Sequence, residues 1–431
     1  MDKLTRVTLP YGHRTLGVDL PAHNLLAVAS PQGQSGGDNL DSLIRQALRA
    51  PLGSAPFSTV LKPGDHLLLL VDDVTRPTPI RDMLPILLDE LDVEGRAIRV
   101  TILIALGTHR KMTEHEIVER LGADIVRRYT VLNHEWDNEE ALLDLGTTAN
   151  GTPIKVNRLI QEADFCIGVG LIVPHNLAGW SGGGKIVQPG ICGKETTYHT
   201  HLLAARCPSS NLGKLVNPVR TEIELVARQT NLKGVLNVVL DGHGQVAHAV
   251  SGDSRAAHRR GVELARPIYE VPVPALADIV LASSHPADID FWQANKGLYA
   301  AEQIVKRGGD IILVTPCPEG ISSQREHVET MRALQGLPSR ALYHHMRQLG
   351  LHDYAALTVS DICARCRELA WTTIVSDGLS DADIQILGVE RAVSVEAAVE
   401  AALRRQGTRA SIAVLTHAGE SLPVVRAQLA A

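Results

Sequence analysis

The apolar positions of this chain fall into short continuous runs separated by polar loops and amphipathic segments. HLLLLVDD (66–73), IRVTILIAL (98–106) and FCIGVGLIV (165–173) are unbroken aliphatic stretches. That pattern predicts parallel strands covered on both faces rather than half-exposed alternating ones. Between the first two, Leu84, Leu87, Leu88 and Leu91 share one helical face. Thr113 with Glu116 three residues on predicts a helix start closed by a capping box. RVTLPYGHRTLGVDLP predicts a small hairpin, residues 30–39 a Gly/Ser-rich loop, and Asp41 to Ala50 a short helix. Residues 211–227 read as largely helical and 235–253 as a hairpin with a glycine turn.

A second series starts near Val271. ADIVLASSHP (277–286), IILVTPCP (311–318), TTIVSD (372–377) and SIAVLTHAG (411–419) read as strands, and Ser394 to Arg404 as an amphipathic helix. PIYEVPVP, around residue 270, reads as a proline-spaced linker. The expected fold class is therefore α/β. Two Rossmann-like units with largely parallel sheets, residues 1–270 and 271–431, would hold the active site in the cleft between them. The last segment would be free to pack back on the first unit.

Composition narrows the function. A net charge of −6 and 3% aromatic residues argue against nucleic acid and against stacking platforms. No apolar run reaches transmembrane length, and MDKLTRVTLPYGHRTLG lacks a secretory h-region. The six cysteines are scattered apart from the CxxC at Cys363 and Cys366, which lacks the second pair a structural metal site needs. The expectation is a reduced, cytoplasmic protein.

The chemistry concentrates at strand ends. Asp72, Asp73, Thr75 and Arg76 follow the first strand; Thr108, His109 and Arg110 follow the second. The third leads into VPHNLAGWSGGGKIVQPGICGKETTYHTH (173–201). Carboxyl ends of parallel strands are where open α/β sheets place their ligands. In that stretch Gly182, Gly183 and Gly184 let backbone approach a guest closely, and Lys185 follows them. Gly179 to Lys185 spells G-x-x-x-x-G-K, but Ile186 stands where a phosphate-binding P-loop carries Ser or Thr. DDVTRPTP contains no glycine, which argues against an NAD-dependent dehydrogenase. Arg76 suits a carboxylate or phosphate, and Gln293 and Lys296, three apart in DFWQANKG, suit the same group from the second unit. His109 and His175 are two bases of suitable intrinsic pKa, the equipment of a racemase or epimerase. His199 and His201 can bind a metal.

VDDVTRPTP, ALGTHRKMT, GLIVPHNLAGWSGGGKIVQPGI, HTH and DFWQANKG, in that order, resemble the lactate racemase family of nickel-pincer-nucleotide enzymes. LPYG, PLGS (51–54) and GTPIKVNRLIQEAD extend the resemblance, which covers most of residues 7–300. It implies racemisation or epimerisation of a 2-hydroxy acid, lactate or a larger relative, by hydride transfer to a tethered cofactor. The cofactor is a pyridinium-3-thioamide-5-thiocarboxylic acid mononucleotide carrying nickel, made by dedicated biosynthesis proteins. The implied positions are Lys185 for covalent attachment, His201 (or His199) for nickel, and His109 and His175 as opposed acid/base groups. Arg76, Gln293 and Lys296 would hold substrate. Asp73, Thr75, the three glycines and an aromatic residue at Trp371 would lie against the cofactor. For a dicarboxylic substrate, Arg110 and His285 are the spare cations. The other class left open is a non-catalytic nickel- or cofactor-binding protein, which needs Lys185 and His201 but not the histidine pair.

Overall fold

A computed structural model describes residues 3–33, 39–207 and 210–425; part of the loop expected at 30–39 lies outside them. Two six-stranded sheets organise the chain. In the first, the order is Val246–Gly252, Leu232–Leu240, Phe165–Leu171, His66–Asp72, Arg99–Ala105, Thr130–Asn133. All neighbours run parallel except the first pair, the expected hairpin. The strands His66–Asp72 and Phe165–Leu171 are buried along almost their whole length, as their unbroken apolar runs require. The chain leaves His66–Asp72 for one side and later returns to the other. The loops after residues 72 and 171 therefore flank a topological switch point, where α/β sheets open a crevice.

The second sheet has the order Glu390–Arg391, Trp371–Val375, Val305–Val314, Ala277–Ser283, Ile412–Leu415, Leu25–Ala29, all parallel. Its switch point lies between Ala277–Ser283 and Ile412–Leu415. The helix Phe291–Glu302, carrying Gln293 and Lys296, follows one of these strands.

Three assignments differ from the sequence pattern. First, the N-terminal strand Leu25–Ala29 joins the second sheet, and the hairpin Leu4–Tyr11/Arg14–Pro21 packs on that sheet's core through Val7, Leu9, Val18 and Leu20. Sheet partners so distant in sequence leave no local signal. Second, PIYEVPVP is not a linker. It finishes the helix Ser254–Tyr269 and forms the strand Glu270–Val273, which pairs with Leu422–Val425. Third, residues 211–216 are not helical. Asn217 caps a helix that begins at Pro218, a residue suited to the first helical turn. The capping box at Thr113/Glu116 and the helix Val395–Gln406 fall where the pattern puts them.

The glycine loop is set by packing. Gly182 and Gly183 have φ of 77° and 60°, left-handed backbone that favours glycine. A Cβ on Gly183 would lie 2.8 Å from the His258 Cβ, and one on Gly184 2.9 Å from the Ala227 Cβ. Their helices, Ser254–Tyr269 and Pro218–Arg228, thus close on the loop from behind. Arg220, 2% exposed, donates to the carbonyls of Ala178, Gly182 and Trp180 and ties the loop to its helix. Gly183→Ala should therefore cost about 1–3 kcal/mol of stability, read as a lowered midpoint of chemical unfolding; an unchanged midpoint would mean the helices yield.

Candidate active site

The three strand-end loops of the first sheet and the helix Phe291–Glu302 of the second meet around one cleft. Asp73, Arg76, His109, His175, Gly182, Lys185, His201, Gln293 and Lys296 all line it. The helices Lys194–Ala205 and Tyr354–Leu369 close it, the latter with the small side chains Ala355, Thr358 and Val359.

His109 is held by Asp73. Its Nδ1–H donates to Asp73 Oδ2 at 2.6 Å, which leaves the Nε2 lone pair as the basic site. Asp73 Oδ1 in turn accepts from the Thr75 hydroxyl at 2.5 Å and the Thr75 N–H at 3.1 Å. Burial alone would raise the Asp73 carboxyl. The charge and hydrogen bond of His109, then Arg76 and Thr75, outweigh it and hold the group well below the usual carboxylate range. Asp73 and Thr75 thus orient a base, whatever else they touch. Asp72 is engaged elsewhere, with Arg120 at 2.5 Å and Thr78.

His175 is held the opposite way. Its Nδ1 accepts the N–H groups of Leu177 and Ala178 at 3.2 and 3.3 Å, so its neutral ring carries the proton on Nε2. Burial, then the charges of Lys185, Lys296, Arg76 and Arg220, hold its pKa well below the ordinary value. The two imidazoles therefore face the cleft as one base and one N–H donor.

Gln293 Oε1 accepts from Lys296 Nζ at 2.8 Å and from Arg76 Nη1 at 3.3 Å, while its Nε2 lies 3.2 Å from His109 Nε2. Both sheets thus contribute to one polar cluster. Burial, then repulsion from Arg76 and Lys185, hold Lys296 well below a normal lysine. Burial and then Arg76 and Arg220 push Lys185 down to about 7. Asp72 and Asp73 oppose the shift at Lys185, and Glu420 and Asp290 that at Lys296, but burial and the neighbouring cations outweigh them.

The donor set also fits a tethered metal cofactor. Lys185, with no ion-pair partner within 4 Å among the described residues, is an amine close to neutrality and so nucleophilic. His201 Nδ1–H donates to the Thr197 carbonyl at 2.8 Å, leaving Nε2 to bind a metal, and burial pushes its pKa down to about 4. His199, one of the two candidates, is exposed on the same helix and does not line the cleft. Among the described residues no group of three or more His, Cys, Asp or Glu side chains can hold a metal alone. A metal at His201 would need its other donors from an organic partner.

Several expected positions lie elsewhere. Trp371 opens its strand at the amino end, away from the cleft. It is 48% exposed, hydrogen-bonded to Glu390 and covered by Arg405. The aromatic wall is Trp292 instead, stacked on His327 at 4.1 Å. Gly183 and Gly184 are packed against helices and do not line the cleft; Gly182 does. Thr75 lines two side cavities rather than the cleft. Arg110 is bound by Glu116 and Glu319, and His285 faces Asp288, so neither is a spare cation. Arg220 and Asn237, which accepts from the Gly183 N–H at 2.8 Å, were missed, because their partners are backbone groups that leave no motif. All six cysteines are free, and Cys363 and Cys366 are buried in a helix. No helix among the described residues is long and apolar enough to cross a membrane.

The geometry defines a class: a two-sheet α/β protein with an anion-binding cleft, a buried reactive lysine and two oppositely held histidines. The lactate racemase N-terminal domain model matches residues 11–213 and the C-terminal domain model residues 273–422. The lactate racemase of Thermoanaerobacterium thermosaccharolyticum is 32% identical over 323 residues, 74% of this chain and 76% of that one. That of Lactiplantibacillus plantarum is 28% identical over 418 residues, 96% and 98% of the two chains. The structure of the T. thermosaccharolyticum apoprotein superposes with a TM-score of 0.87 at 26% identity, covering 97% of this chain and 100% of that one. A Thermotoga maritima protein shares the fold, with a TM-score of 0.74 at 19% identity over 91% of this chain and 100% of that one. The chain belongs to the lactate racemase family.

In cofactor-free protein, Lys185 should acylate with a pH midpoint near 7, read by peptide mass spectrometry after brief reagent exposure. A midpoint of about 10, that of a solvated lysine, would contradict its burial. The sign for stability follows: the unfolded chain holds this proton up to 10.5 and the folded one only to about 7, so Lys185's contribution is lost as pH falls through that window.

Proposed function

We propose that this protein racemises or epimerises a small 2-hydroxy acid, with His109 and His175 as the opposed proton-handling groups. The observation that carries the reading is their opposite tethering across one cation-lined cleft. Arg76, Gln293 and Lys296 take the substrate carboxylate. That anion adds counter-charge and favours the protonated form of Lys296. His109 Nε2 takes the hydroxyl proton while Asp73 stabilises the resulting imidazolium, as a carboxylate does for an imidazole base generally. On the other face, His175 faces the oxygen. Attachment at Lys185 removes one of the charges that lower the His175 pKa, and the substrate anion offsets two more, so loading moves the ring toward its protonated form against the burial that lowers it most.

The cofactor that fits this reading is a nickel-pincer nucleotide, which Lys185 would hold covalently and His201 would hold through nickel, with Gly182 lining the same cleft. When bound it supplies a hydride acceptor, which the α-hydrogen of a hydroxy acid requires because it is too weakly acidic for direct abstraction. Cofactor-biosynthesis proteins are then necessary partners. Substrate chain length is left open by the cleft, since the wall from Tyr354–Leu369 is made of small residues.

Co-expression with cofactor-synthesis proteins should give a mass increase on the Lys185 peptide and about one nickel per chain, absent in Lys185→Ala. On loaded protein, His109→Ala and His175→Ala should each lower racemisation about 10²–10⁴-fold without removing nickel. Full activity in either variant would sink the two-histidine reading.

A further inference from the structure

Opposed histidines create a bookkeeping problem for protons. As the alcohol is oxidised, the C–H electron pair leaves with its hydrogen as hydride to the acceptor, and the O–H proton goes to His109. As the 2-oxo acid is reduced on its other face, hydride returns to carbon and the oxygen takes a proton from His175. Substrate and product have the same composition, but one proton has moved from the His175 side to His109. Before the next turnover in that direction, His109 must lose a proton and His175 must regain one. Bound substrate covers the cleft side of His109, so a second outlet is needed.

A side cavity adjoins His109 from behind. Asp73, His109, Trp292 and Gln293 line both it and the main cleft, so they form the partition. It holds about 30 Å³ of water-accessible space, room for one or two waters. Its lining includes Ser322 and the exposed Ser323. Two buried groups inside it have spare hydrogen-bonding capacity. Asp290, 9% exposed, accepts the Gln293 N–H on Oδ1 at 2.9 Å, and Oδ2 has no partner among the described residues. His327, 1% exposed, gives its Nδ1–H to Asp353 at 2.5 Å, while Nε2 is unpartnered. The cavity's other carboxylates are engaged, Glu319 with Arg110 and Asp73 with His109.

We propose that this side cavity is the route by which His109 exchanges its proton with solvent, with the Asp290 carboxylate as the relay group; this rests on the two-histidine reading above. Burial pushes the Asp290 carboxyl up to about 6, against the opposing Gln293 N–H and the charges of His109 and Lys296, with Glu319 adding to the rise.

Asp290→Asn separates relay from structure, because asparagine keeps the helix cap that accepts the Gln293 N–H. With cofactor-loaded protein in dilute buffer, the variant should lose about tenfold in kcat with KM within about twofold, and imidazole or formate should restore kcat in proportion to concentration. Asp290→Glu should recover most of the loss. A kcat within about twofold of the parent and indifferent to buffer overturns the relay, and so does a loss that no buffer restores. No racemisation by the parent protein overturns the reading beneath it, and the relay with it.

Discussion

The site depends on one electrostatic constraint: Arg76, Lys185 and Lys296 share a cleft from which water is largely withdrawn. Like charges in such a space repel strongly and shed protons. The fold opposes this with Asp72, Asp73, Asp290 and Glu420, of which Asp73 is bonded to His109 and Asp72 to Arg120. The remaining imbalance gives each part of the site its character. Together with burial, the larger cause, it lowers the pKa of Lys185 and of His175.

Architecture makes that crowding possible. Arg76, His109 and His175 sit at the carboxyl ends of three adjacent strands of one sheet, while Gln293 and Lys296 come from the first helical turns after a strand of the other. Neither sheet alone completes the polar cluster, since Gln293 bridges Arg76 of the first to Lys296 of the second and also touches His109.

Much of this was legible in the sequence. The buried strands announced themselves as unbroken apolar runs, and most of the polar residues singled out at their ends line the cleft. Local signals with a local cause, such as the Thr113 capping box, were equally plain. What was hidden depended on distant partners. Strand Leu25–Ala29 pairs with Ile412–Leu415, and Glu270–Val273 with Leu422–Val425, so an N-terminal segment joins the second sheet and an apparent linker becomes a strand. Gly183 and Gly184, read as ligand-facing, are demanded by helices packing behind them. The aromatic wall was assigned to Trp371, at the wrong end of its strand; Trp292, beside Gln293, fills that place. Arg220 escaped notice because a buried arginine serving backbone carbonyls resembles any arginine on a helix.

The most direct measurement is of stereochemistry. Cofactor-loaded protein would be given single enantiomers of lactate and of longer 2-hydroxy acids in turn, with both hands followed by chiral chromatography. The account predicts that at least one acid converges to an equal mixture, or an epimeric equilibrium, from either starting hand, with no net accumulation of the 2-oxo acid. Retention of configuration by every acid, with nickel and the Lys185 adduct in place, would contradict it and leave a cofactor-binding protein.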